Sequence, residues 1–102
     1  MSGAPALRDL LARRLDLVGR LSLATAAMQK LQQARASAEM DIQRCEIVLS
    51  RGADDGLARD LLEARQRVEE SDRGGERCEA EIAALEESLA ETDRRIEDAA
   101  RG

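Results

Sequence analysis

The chain has 102 residues, 43% hydrophobic and 36% charged, with a net charge of −5 and no Phe, Tyr, Trp or His. Without histidine neither a Ser/His/Asp triad nor a Cys/His dyad can be assembled, and Cys45 and Cys78 alone make neither a disulfide framework nor a metal site. Without aromatic side chains a compact multilayer core is also excluded, and the abundance of Ala, Leu, Glu and Arg is that of long helices.

The charge is unevenly spread: residues 1–53 hold eight basic and five acidic side chains, and 54–102 hold eight basic and sixteen acidic. The acidic total argues against nucleic acid as a partner, because neutralising phosphates needs clustered Lys and Arg, and only Arg8, Arg13, Arg14 and Arg20 are concentrated. No apolar run approaches the roughly 18–20 residues of a membrane span, and no basic segment leads into a signal-type apolar stretch. A cytoplasmic protein without membrane contact is the expectation.

In chain order, Pro5 suits the first turn of a helix, and a first helix is expected over about residues 5–50. Its apolar stripe reads Leu7, Leu11, Leu15, Val18, Leu21, Ala24, Met28, Leu31, Arg35, Ala38, Ile42, Cys45 and Leu49. The spacing becomes a regular heptad from Met28 onward, whereas three successive threes between Leu15 and Ala24 predict a local change of supercoil. Residues 51–56 read as a turn, with Gly52 suited to a left-handed position after the helix and Asp54 or Asp55 to the cap of the next one. A second helix, about residues 57–100, then carries Leu57, Leu61, Ala64, Val68, Ser71, Gly75, Cys78, Ile82, Leu85, Leu89, Thr92, Ile96 and Ala99 in unbroken four–three alternation.

Two helices of similar length with so short a connection must run antiparallel, which lays the basic first half along the acidic second. The expected fold is therefore all-α, a single domain over 1–102 built as a long antiparallel helical hairpin or coiled coil. Gly74-Gly75 is the weak point, since adjacent glycines cost about 2 kcal/mol relative to Ala inside a helix. A break there would give a three-helix bundle instead, but the heptad passes through Gly75 without a slip. Counting from the turn sets Gly75 near Leu31 and Ser71 near Arg35, a thin central layer, and holds Cys45 well apart from Cys78.

Paired carboxylates such as Glu69/Glu70 and Glu86/Glu87 point about 100° apart on a helix and read as a solvated face, and no strand precedes either glycine pair as a phosphate loop needs. No catalytic residue, cofactor or metal is expected, and the chain is not expected to be an enzyme.

The second helix resembles tubulin-binding cofactor A, a family of small helical chaperones that hold β-tubulin during tubulin folding. The resemblance lies in Asp60-Leu61, then Val68-Glu69-Glu70-Ser71, with Ile82 and Leu89 at later core positions, and it covers residues 60–89. Glu76 stands where the family usually has proline, family members generally form three-helix bundles, and their aromatic and Lys-rich character is missing. The resemblance implies a non-catalytic, cytoskeleton-associated chaperone with β-tubulin as partner, and the small area an Ala-rich seam buries leaves monomer or homodimer as the expected state. Its candidate contacts are Arg35, Asp60, Glu69, Glu70, Ser71, Asp72 and Arg73. The composition fits equally a bacterial coiled-coil adaptor of a secretion system, or a structural coiled-coil oligomer.

Overall fold

A computed structural model describes residues 6–102, so Pro5, expected in the first helical turn, lies outside the described residues. These residues are all-α: helix α1 runs Leu7–Leu49 and helix α2 Asp55–Arg101, joined as an antiparallel hairpin. The connection is shorter than expected, residues 50–54, because α2 starts two residues before Leu57. Asp54 is its cap. One carboxylate oxygen of Asp54 accepts the Leu57 amide at 3.0 Å, and its carbonyl accepts the Ala58 amide at 2.9 Å, which draws Asp55 and Gly56 into the first turn.

The left-handed Gly52 expected after the first helix does not form, since no described residue has positive φ. The end of α1 tightens instead. The amides of Arg51 and Gly52 reach back three residues to the carbonyls of Val48 (3.0 Å) and Leu49 (3.2 Å), and the Ser50 hydroxyl donates to the Ile47 carbonyl at 2.6 Å. These bonds satisfy the last carbonyls of the helix without an αL residue. Asp54→Ala is expected to cost about 1 kcal/mol in urea denaturation, with Asp54→Asn retaining most of the stability.

Packing divides the chain into two units, and the one formed by residues 27–78 contains the turn. Ala38 and Cys45 of α1 and Ala64, Ser71 and Gly74 of α2 are buried in it. Helix α2 is continuous through Gly74-Gly75, so the three-helix alternative is not adopted. The reason is visible in the packing. A Cβ on Gly74 would stand 3.1 Å from both methyls of Leu31, while one on Gly75 would meet only the Met28 sulfur at 3.9 Å. Leu31 thus faces Gly74 and not Gly75, and its side chain fills the space the glycine leaves, so the central layer is not thin. Cys45 is buried, Cys78 half-buried, and both are free thiols.

The second unit joins residues 6–26 to 79–102. Its centre is Leu17, Ala24 and Leu85, with Leu21, Ile82 and Leu89 packed around them, and Leu10 is buried as well. Thr92 is also buried, its hydroxyl donating to the Ser88 carbonyl at 2.8 Å. On α2 the expected stripe is the seam as far as Ile96, whereas Ala99 is exposed. On α1 the expected stripe is displaced. Leu7, Leu11 and Leu15 are 40%, 50% and 75% exposed, while Leu10 and Leu17 are 3% exposed. The buried positions therefore run back from Ala24 through Leu21 and Leu17 to Leu10 in four–three alternation, with Arg14 at the intervening seam position, and so depart from the expected stripe before Val18. Arg14 holds a seam position because its long side chain leaves the interface to pair with Asp93 at 2.7 Å, as an arginine stem can cover apolar surface with its head in water.

Candidate partner-binding site

All seven candidate contact residues fall in the unit 27–78. Arg35 stands on the seam face of α1, and its Nε donates to Asp72 of α2 at 2.6 Å while its guanidinium also pairs with Glu39 one turn on. The hydrogen bond to Asp72, then the charges of Asp72 and Glu39, hold the guanidinium above its ordinary pKa, so it stays charged at any working pH. Ser71, beside Asp72, is buried in the seam and is no surface contact. The structure thus brings Arg35, Ser71 and Asp72 together as an interhelical layer.

Glu69, Glu70 and Arg73 lie on the outer side of α2, with Arg73 and Glu69 approaching to 3.7 Å one turn apart. Asp60 stands apart, roughly 18 Å up the helix from Asp72 at ~1.5 Å per residue. It lines a concavity of about 270 Å³ with Asp41, Arg44, Cys45, Leu57, Glu63 and Arg67, across which Arg67 donates to Asp41 at 2.9 Å.

Among the described residues four ion pairs bridge the helices: Arg35–Asp72, Arg65–Glu46 and Arg67–Asp41 in this unit, and Arg14–Asp93 in the other. Two have arginine on α1, as the charge asymmetry of the halves suggests, and two have it on α2. Every partner is about a third or more exposed, so solvent screens each pair and their main effect is on register. Arg14 and Arg35 are 21 residues apart, as are Asp93 and Asp72, so one polar layer recurs three heptads on. That equal spacing is readable in the sequence once both helices are set antiparallel.

In the other unit a concavity of about 300 Å³ is lined by Arg13, Glu87, Ser88, Glu91, Thr92, Arg94 and Arg95. Glu91 takes hydrogen bonds from Arg94 and, at 3.3 Å, from Arg95. The hydrogen bond from Arg94 and its charge, aided by Arg95, hold the Glu91 carboxyl below the usual carboxylate range. A depressed native pKa gives stability that is complete above the unfolded pKa of about 4.3 and lost as pH falls through the native value. Thermal melts between about pH 3 and 7 are therefore expected to separate Glu91→Gln from wild type fully above about pH 4.3 and to converge as the pH falls through the lower native value. The separation is small, because these side chains are exposed.

What the stripe reading missed is the outer side of α1. Leu15 and Leu23 are 75% and 73% exposed, and the signal that could have found them is the seam through Leu10 and Leu17, which leaves both leucines outside. Among the described residues there is no group of three His, Cys, Asp or Glu side chains able to hold a metal ion, and no helix is long and apolar enough to cross a membrane. No protein-family model, curated protein or solved structure matches this chain.

Proposed function

We propose that the protein is a non-catalytic binding chaperone that holds its client on the outer side of α2, acting in the cytoplasm. The observation that carries this reading is the division of labour within residues 60–73: Ser71 and Asp72 are committed to the seam and to Arg35, while Glu69, Glu70 and Arg73 stay in solvent on the outer side of one rigid helix and Asp60 lines the concavity beside Cys45. A helix pinned from behind presents charged groups in a fixed array, which favours electrostatic recognition of a partner. The resemblance of residues 60–89 to tubulin-binding cofactor A makes β-tubulin the client to test. Purified protein is expected to retain β-tubulin in a pull-down, and Glu69→Arg with Glu70→Arg to weaken retention about tenfold or more without loss of helicity. Absence of binding by the wild type would end the tubulin reading.

A specific feature favours a second reading, a coiled-coil adaptor of the kind that engages secretion ATPases. Toward the turn, Met40, Ile47 and Val48 of α1 are exposed apolar residues on a two-helix hairpin, the surface an ATPase would contact under this reading. Binding to such an ATPase that Ile47→Glu abolishes, with no binding to tubulin, would decide for it.

A further inference from the structure

The break between the two helices is short and lacks the usual stops. Helical winding persists past Leu49, since the amides of Ser50, Arg51 and Gly52 still bond to carbonyls three or four residues back, and it resumes at Asp54, whose carbonyl accepts the Ala58 amide. No described residue has positive φ, and residues 50–56 include no proline. A left-handed residue and a ring without an amide, the two common terminators of a helix, are therefore both missing. The chain is held in its turn by Asp54, which caps α2 through the Leu57 amide at 3.0 Å. The amides of residues 53–56 have no backbone acceptor among the described residues.

The seam also runs on through the break. Cys45, Leu49, Leu57 and Leu61 stand at intervals of four on either side of Ala53, and Ile42 and Ala64 stand eleven residues from it in each direction. All six are buried or half-buried in the seam. Eleven residues make three turns of a nearly straight coil, so one continuous helix keeps this series on a single face. The series reads the same in both directions, which is what a two-fold interface requires of a helix that meets its own reverse. The register agrees. Leu31 packs on Gly74 and Arg35 pairs with Asp72, and the midpoints of these pairs, 52.5 and 53.5, bracket Ala53.

We propose that two copies open at residues 50–56 and exchange α2, each chain becoming one continuous helix that pairs antiparallel with the other about a two-fold axis at Ala53. Exchange of an identical element is a low-cost route to a dimer, because the contacts between α1 and α2 re-form between copies. Each amide of residues 53–56 gains a helical acceptor. Two effects oppose it. The covalent turn favours the closed form below an effective concentration on the order of a millimolar, and opening removes the Asp54 cap while setting the two Asp54 carboxylates beside the axis. The closed hairpin thus predominates in dilute solution, and the exchanged dimer grows with concentration. The client face on the outer side of α2 is exposed in both forms, so the two readings fail separately.

Sedimentation equilibrium of the full chain up to about 2 mM tests it, with helicity followed by circular dichroism. Gly52→Ala with Gly56→Ala is expected to lower the concentration of half-dimerisation at least about tenfold. Alanine favours helix at both positions of each chain, and a Cβ on Gly56 stands 3.3 Å from the capping oxygen of Asp54 in the closed form. Ala53→Pro is expected to abolish the dimer and leave the hairpin intact, because the Ala53 amide is needed only in the continuous helix. Cross-linking identifies the exchange itself. In a Cys45→Ser, Cys78→Ser background, copies carrying Leu31→Cys are mixed with copies carrying Gly74→Cys, positions that face each other across the seam. Mild oxidation is expected to link unlike copies in preference to like ones, and Ala53→Pro to remove that preference. A wild type that stays monomeric to the top of the range, a dimer that survives Ala53→Pro, or like links as frequent as mixed ones would each overturn the proposal.

Discussion

Leu17→Ala and Leu85→Ala are each expected to destabilise the protein by about 3 kcal/mol, whereas Leu15→Ala is expected to change stability by less than about 0.5 kcal/mol. The comparison is made at chain concentrations low enough to keep the hairpin monomeric, so that only contacts within one copy count. All three substitutions remove the same atoms. They differ in what surrounds them: Leu17 and Leu85 are 3% and 5% exposed in one cluster with Ala24, while Leu15 is 75% exposed. The cost inside is large because the core is small. Of the seven buried hydrophobic residues among those described three are alanine and one is cysteine, and no aromatic ring exists that could relax into a cavity. Against the roughly 5–15 kcal/mol total stability of a domain this size, one such truncation shifts the melting temperature by about 12 °C or more. Urea titrations of the three variants, compared at constant m-value, check the prediction. Equal losses at Leu15 and Leu17 would show that the phase of the first helix is the one its leucines suggest and not the one described above.

Those leucines explain how far the fold was legible in the sequence. The second helix was readable almost residue by residue, because Leu62 is its one large apolar residue off the stripe, and a stripe on a charged background has one phase. The first helix has leucines at 7, 10, 11, 15, 17, 21 and 23, which fit more than one stripe. Counting apolar residues prefers the set with Leu11 and Leu15. The chain takes the other, which accepts Arg14 at a seam position because Asp93 is across from it on α2. That choice depends on a residue 79 positions away and is not available to a local pattern. The candidate site divides the same way. The charged outer residues of α2 were legible as exposed, but the burial of Ser71 and the Arg35–Asp72–Glu39 layer depend on register between the helices. The turn was misplaced by two residues because Asp54 and Asp55 are equally good caps by type, and only the Leu57 amide bonding to Asp54 distinguishes them.

Register also determines the outcome at the adjacent glycines, which are expected to respond in opposite directions. Gly75→Ala gains the helix propensity of alanine, about 1 kcal/mol, and its methyl meets the Met28 sulfur at an ordinary contact distance of 3.9 Å, so the variant is expected to be more stable. Gly74→Ala gains the same propensity but sets its Cβ 3.1 Å from both Leu31 methyls, so Leu31 must shift by a few tenths of an ångström and the two effects nearly cancel. Gly74→Leu has no such balance. Its side chain claims the volume Leu31 already fills, and overpacking of this kind costs about 1–3 kcal/mol, enough to outweigh the propensity gained. The mechanism is specific to one contact, so it predicts a rescue. Leu31→Ala alone opens a void above Gly74, and Leu31→Ala combined with Gly74→Leu returns a large side chain to the same space from the opposite helix. The double variant is expected to be more stable than the sum of the two single changes by at least about 1 kcal/mol, a coupling that only residues in contact display. Thermal and urea unfolding of the four-member cycle measures it. Additive losses would mean that Leu31 does not sit over Gly74, and that the continuity of α2 through its two glycines has some cause other than the side chain that covers them.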